Sequence, residues 1–255
     1  MRELTIVSPH RDDVPFSLYL CLSRWRLLPI RVNVVTVFTV SVYAPRAHIP
    51  DCAPETVQSS VTALRKQEDR RVFKEIDKRI RVQALNLLDA PLRLGIPVDS
   101  VCKPGTDSNA TYSDTETIGH RLKGFFQGSL VLAPLGLGNH VDHLVVRTAA
   151  INTSQVDTLA FYEDLPYATW VSDTLCNQTV KEIERSTRIL LRPSIIRNRN
   201  QVARKRQVIS QYKSQIGRED AIGIAGFAAK YRGGERIWTP KRSQAWRALT
   251  RQTYV

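Results

Sequence analysis

Cysteine is scarce in this chain: only Cys21, Cys52, Cys102 and Cys176 occur, and no two form a Cys-x-x-Cys pair. So sparse and irregular a set excludes a disulfide framework and fits reduced, packed thiols in a reducing compartment. No run of about 20 apolar residues occurs, which excludes a membrane-spanning helix. The start, Met-Arg-Glu-Leu-Thr-Ile-Val, lacks the basic head, apolar stretch and small-residue cleavage site of a secretory leader, so the cytoplasm is the expected location. Internal repeats and low-complexity segments are also missing. What is present is ordinary for a folded protein: 42% apolar and 24% charged residues over 255 positions. That length predicts one main domain, 1–255, with a basic, mainly helical C-terminal region from about 171.

Acidic residues are thin in one part of the chain. The net charge is +13, and from Lys181 to Arg251 there are 18 Lys or Arg against 5 Asp or Glu, so the whole excess lies there. A field of that sign attracts anions such as phosphorylated or nucleotide-linked sugars, nucleic acid or anionic lipid; a solvated basic face is the plain alternative.

Leu4 to Val7 is a short β-branched run that stops at Ser8-Pro9-His10, predicting a buried strand with His10 at its tip. Past Pro15, which suits a first helical turn, Leu18, Leu22 and Trp25 recur at helical spacing and predict a helix over 16–28. A strand follows over 31–39. Pro45, Pro50 and Pro54 mark 40–60 as a long loop. Next come a charged helix over 60–78, a strand over 81–88 ending at Asp89, a polar loop over 107–114 and a helix over 115–127. A strand over 130–135, a Gly136–Asn139 turn, a helix through Ala150 and a strand over 158–162 complete the pattern. Beyond Trp170 the reading is a helix over 180–190, a basic helix over 195–215 and an unassigned tail. Tyr162, Trp170, Trp238 and Trp246 read as core residues rather than sugar-stacking platforms. Alternating strands and helices predict an α/β protein with a mostly parallel sheet covered on both faces. Ligands in such folds sit beyond the carboxyl ends of the strands, and His10, Asp89 and His140 all follow a strand end.

Only five histidines occur in the chain, and three fall in two short motifs. Pro9-His10-Arg11-Asp12-Asp13 presents an imidazole and two carboxylates on a turn after a buried strand. His140-Val141-Asp142-His143 puts two imidazoles one turn apart on the same face of a helix start. A catalytic zinc takes about three protein ligands and keeps one position open, and histidine with a carboxylate is a familiar mixture. His48 and His120 have no partner at ligand spacing.

Taken together, these stretches resemble the LmbE-like or PIG-L zinc deacetylases, a family that includes N-acetylglucosaminyl-phosphatidylinositol, mycothiol-pathway and antibiotic-pathway deacetylases. His10-x-Asp12-Asp13 is similar to the family's HPDD motif and His140-x-x-His143 to its HPDH motif. Arg65-x-x-Glu68, Asp89, the stretch Phe161-Tyr162-Glu163-Asp164-Leu165-Pro166-Tyr167, and Lys205 to Gln215 extend the likeness over most of the chain. The resemblance implies a Rossmann-like three-layer α/β/α fold and a Zn2+ ion, or another divalent metal, held by His10, Asp13 and His143. It further implies Asp12 as general base, His140 as a cation facing the oxyanion, and Arg65 and Asp89 on sugar hydroxyls. Asp142 is expected to orient one of the histidines. The implied reaction removes an N-acetyl or other N-acyl group from a small amino sugar or glycoconjugate, neutral or anionic. Nucleic acid is not an expected partner, and homo-oligomer formation stays open.

Three departures stand out. Arg11 replaces the usual proline and puts a cation beside the motif, where it is expected to reach an anionic substrate. Val14 stands where an acid is common, and Gly138-Asn139 stand where some members place a tyrosine. Two other readings compete. Two histidines and a carboxylate also suit mononuclear iron, although such enzymes usually sit on all-β barrels. A basic binding module with a degenerate metal site is the third, with charge but no nucleic-acid motif behind it.

Overall fold

A computed structural model describes residues 2–50, 53–103, 105–106 and 112–251. The sheet begins with β1 (Arg2–Ser8), whose Leu4, Ile6 and Val7 are buried. β1 pairs in parallel on both sides, with Ile6 opposite Val34 of β2 (Ile30–Val40) and opposite Leu132 of β4 (Ser129–Pro134). Strands covered on both faces read as near-continuous apolar runs, which is how β1, β2 and β4 are written. β3 (Arg81–Leu88) joins β2 at one edge, and β5 (Leu159–Tyr162) joins β4. The order is β3-β2-β1-β4-β5-β7-β6, where β7 (Gly234–Pro240) runs antiparallel to both β5 and β6 (Leu191–Arg197). Helices pack over the sheet in a three-layer α/β/α arrangement, as expected.

Helices α1 (Asp13–Trp25), α2 (Pro54–Ile76), α3 (Ala90–Leu94), α4 (Tyr112–Phe126) and α5 (Val141–Thr153) connect the first five strands. In this order β1 lies between β2 and β4, so the chain leaves β1 to one side and returns on the other. That reversal opens a crevice past the ends of β1 and β4. It is what brings the turn after β1 and the turn after β4 together, although more than a hundred residues separate them.

Several elements depart from expectation. α2 starts at Pro54, inside the segment read as a loop, because a proline in the first helical turn opens a helix as readily as it breaks one. The basic helix expected over 195–215 is instead the end of β6 followed by the shorter α7 (Val202–Ile209). Ile195 and Ile196 pair with Arg236 and Glu235 of β7, a long-range partner that overrides the local pattern. Pro193 is tolerated because β6 is an edge strand. The unassigned tail holds α8 (Arg218–Gly226), β7 and α9 (Gln244–Thr250), while α6 (Asp173–Thr187) starts earlier than the expected 180. Most of the polar loop expected over 107–114 lies outside the described residues. Tyr162, Trp238 and Trp246 are core residues, but Trp170 is 71% exposed. Among the described residues, no helix is long and apolar enough to cross a membrane.

Candidate metal centre and pocket

The turn after β1 places His10, Asp12 and Asp13 at the start of α1, and the turn after β4 places His140 and His143 at the start of α5. Ligand atoms of His10, Asp13 and His143 all lie within 4.8 Å of one another. Asp13 is the hub. Its Oδ2 accepts the His10 backbone N–H at 2.6 Å, lies 3.3 Å from His10 Nδ1 and 3.4 Å from His143 Nε2.

Each imidazole is braced on its far side by a buried carboxylate. His10 Nε2 is 2.9 Å from Asp142 Oδ2, which also accepts the Ala90 N–H at 2.9 Å, while Asp142 Oδ1 accepts from Arg93 at 2.6 Å. His143 Nδ1 is 2.7 Å from Asp164 Oδ1, and Asp164 Oδ2 accepts the Gly136 and Leu137 N–H groups at 2.8 and 3.0 Å. Carboxylates in that position fix the orientation and tautomer of a metal-binding histidine. His143 Nε2 is buried and has no hydrogen-bond partner among the described residues. A buried ring nitrogen left unpaired is costly, and here it points at the carboxylate shared with His10. Two imidazole nitrogens and one carboxylate oxygen fit a divalent ion with room for a further ligand. A second grouping, His10 with His140 and Asp142, fits less well, because both Asp142 oxygens are already engaged.

The electrostatics of the cluster follow from these contacts. Burial opposes charge on His10, but hydrogen bonds and charges from Asp13 and Asp142 outweigh it and raise its pKa to about 10. Burial alone would raise Asp13; His143 and His10 together hold it below the ordinary carboxylate value. Asp142 is likewise drawn down to about 2 against its burial, first by His10. His140 goes the other way. Burial, then the positive neighbours His10 and His143, push it well below the usual histidine value. Its Nδ1 accepts the Asp142 N–H at 3.2 Å as the cap of α5, which leaves the proton on Nε2. Nε2 is thus the nitrogen that the ring offers as a donor.

Asp12 occupies the cap position of α1 yet caps nothing. Its Oδ1 instead accepts from Arg65 at 3.1 Å, and Arg65 also reaches Ser41 Oγ at 3.3 Å. The surface pairing that three-residue spacing permits for Arg65 and Glu68 does not form, since both are buried. Glu68 accepts from the Ser214 N–H and hydroxyl at 2.8 and 2.6 Å. Asp89 caps α3 and also lines the pocket. The pocket holds about 250 Å³ and is walled by Asp12, Asp89, Arg65 and His140 with the aromatics Tyr43, Tyr167 and Trp170.

Arg11 is a correction. It is 5% exposed, does not line the pocket, and bonds Asp69 Oδ2 at 3.2 Å. The Tyr212 hydroxyl sits between the Arg11 carbonyl at 3.1 Å and Asp69 Oδ1 at 3.0 Å. A side-chain strut thus braces this turn, and Arg11 itself does not stand at the rim.

Asp164, Arg93 and Tyr167 carry the site's support but had no assigned role in the sequence reading. Asp164 was findable by the rule that found His10 and His140, since it follows the end of β5. Tyr167 arrives on the turn after β5, and its ring centroid lies 5.7 Å from that of His140 and 5.1 Å from that of His143. Gly138 makes room for it: its φ is +77°, and a Cβ there would meet Tyr167 Cβ at 2.6 Å. Tyr167 thus stands against the Gly138-Asn139 stretch, beside both histidines.

No family model matches the chain. It is 30% identical over 169 residues to 2'-N-acetylparomamine deacetylase of Streptomyces fradiae, an alignment taking in 64% of this chain. That alignment spans 57% of the relative, a little over half its length. Among solved structures, a zinc-inhibited form of a teicoplanin deacetylase superposes with a TM-score of 0.66 at 21% identity, covering 92% of this chain and 97% of the other. N,N'-diacetylchitobiose deacetylase of Pyrococcus horikoshii gives 0.59 at 16% identity, covering 94% and 84%. The chain has the fold of these deacetylases, in agreement with the LmbE-like resemblance. The β barrel that the iron reading calls for is not the architecture found.

Proposed function

We propose that the chain is a metal-dependent N-deacetylase, with zinc as its metal, that removes the acetyl group from an amino-sugar substrate. The observation that carries this is the convergence of His10 Nδ1, Asp13 Oδ2 and the unpartnered His143 Nε2, with Asp142 and Asp164 behind the two rings. A divalent ion held by those three residues supplies an acidified water and polarisation of the amide carbonyl. Asp12, steadied by Arg65, accepts the proton from the attacking water and returns it to the amine nitrogen as the C–N bond breaks. His140 donates its Nε2–H to the carbonyl oxygen as negative charge gathers there. The products are acetate and the free amine.

The deacetylases of similar fold and the S. fradiae relative, whose names specify acetylated amino sugars or glycopeptides, support that substrate class. A pocket of about 250 Å³ suits one sugar ring, with Arg65 and Asp89 placed for its hydroxyls and Trp170 at the mouth. The free thiols of Cys21, Cys102 and Cys176 fit the cytoplasm as its setting. Metal analysis of the purified chain, with acetate release measured on a panel of acetamido sugars, tests the proposal. One zinc per chain and release that chelation abolishes and zinc restores are expected. A chain that binds no divalent metal and gains no amidase activity from zinc would overturn it.

A further inference from the structure

The basic excess has one concentrated outlet, and it is not the catalytic pocket. Arg46, Arg206, Lys213 and Arg218 line a separate hollow of about 480 Å³, with Gln207 and Ser210 between them. α7 carries Arg206, the turn after it carries Lys213, α8 begins with Arg218, and Arg46 reaches in from the segment after β2. None of the four cations forms an ion pair or side-chain hydrogen bond among the described residues. By contrast, Arg204 on the same helix bonds Glu75 at 2.7 Å.

The arrangement is unfavourable without a counter-ion. The Arg46 guanidinium lies against Gly217, where a Cβ would come within 2.7 Å of it. Gly217 has an ordinary φ of −92°, so the space it leaves, rather than its flexibility, is what Arg46 uses. A cation is thereby held at the positive end of α8, the wrong end for its charge. Asp220, which accepts the Gly217 N–H at 2.7 Å, offsets one charge of the group.

We propose that this hollow binds a phosphoryl group, of diphosphate size or larger. Three guanidinium forks and an ammonium match the several oxygens and multiple charge of such a group, whereas a single carboxylate occupies one fork. The hollow adjoins the catalytic pocket: Gln215 and Tyr43 line the pocket, while Ile216 and Arg46 line the hollow. The phosphoryl group can therefore be carried on the substrate, as in a phosphorylated or nucleotide-linked amino sugar, or belong to a separate ligand.

Calorimetric titration of the full chain with inorganic pyrophosphate tests the site without any reliance on catalysis. Binding is expected, weakening by about tenfold or more in the double variant Arg46→Gln, Lys213→Gln. Arg204→Gln removes one charge from α7, the helix of Arg206, outside the hollow's lining, and is expected to leave affinity within about twofold. Absence of binding at low salt, or equal weakening by Arg204→Gln, would overturn the site and leave the deacetylase proposal standing. A second arm assigns the source. If pyrophosphate competes with a phosphorylated acetamido sugar, and the double variant raises KM for that sugar but not for a neutral one, the group rides on the substrate. Binding without competition supports the site for a separate ligand.

Discussion

The two hollows that meet along the Tyr43–Arg46 and Lys213–Arg218 segments draw opposite charge from the same chain. The pocket proposed for catalysis is lined by Asp12, Asp13 and Asp89 against Arg65, which Asp12 already neutralises. The neighbouring hollow shows four cations and no acid in its lining. They differ in rigidity as well. In the pocket almost every functional atom has a buried partner, so geometry is set before a ligand arrives, as metal binding and catalysis require. In the basic hollow the side chains are exposed and unpaired, which suits attraction of an anion more than precise placement. Net charge therefore locates nothing by itself: of the basic C-terminal residues, Arg206, Lys213 and Arg218 line this hollow, and the fold brings Arg46 to them from the neutral part of the chain.

The sharpest way to break this comparison is to empty one hollow and ask whether the other notices. His143→Ala removes the unpartnered Nε2 and is expected to abolish bound metal and lower deacetylation by about 10³-fold or more. Pyrophosphate affinity is expected to stay unchanged in the same variant. A parallel loss of pyrophosphate binding, measured by calorimetry, would show that the two hollows are one site.

A smaller effect is expected behind the metal ligands. Asp164→Asn keeps the volume but changes which atoms accept from His143 Nδ1 and from the Gly136 and Leu137 N–H groups. Metal affinity is expected to fall by about 10–100-fold, read by competition with a chromogenic chelator. An unchanged affinity would mean that His143 is held by packing alone. Trp170→Ala should do less. Its ring meets Tyr167 edge-on at 5.5 Å and stands open at the mouth. The expected result is a several-fold rise in KM with kcat unaltered, the mark of an interaction made equally in ground and transition states. A fall in kcat instead would place the indole in support of Tyr167 rather than on the sugar.

How much of this was legible in the sequence depended on distance along the chain. The strand ends carrying His10, Asp89 and His140 could be read because buried parallel strands are short, apolar and sharply stopped. The braces could not, since they are long-range. Nothing near Arg11 in sequence points to Asp69 or Tyr212, and nothing near His10 points to Arg93. The C-terminal region was misread for the same reason: Ile195 and Ile196 become strand only because β7 lies beside them. Charge was legible as an amount and not as a place, so Arg11 was expected at a rim it does not reach.

A further effect concerns that strut; it bears on stability rather than activity and has a definite sign. Burial lifts the Asp69 pKa from 3.8 to about 7 despite the Arg11 charge, and burial also lowers Arg11, so desolvation outweighs the attraction between them. A carboxyl whose folded pKa is raised contributes stability that is full below its unfolded value and is lost as pH rises through the folded value. The stability of the wild type relative to Asp69→Asn, which cannot titrate, should therefore fall between about pH 4 and pH 7 and level off above. The slope cannot exceed about 1.4 kcal/mol per pH unit for one proton. Urea unfolding of both proteins after chelation, at several pH values, measures it. A difference that grows with pH would mean that the Arg11–Asp69 pair is favoured as an ion pair, and that the turn bearing His10, Asp12 and Asp13 is held by charge rather than by hydrogen bonds in a dry interior.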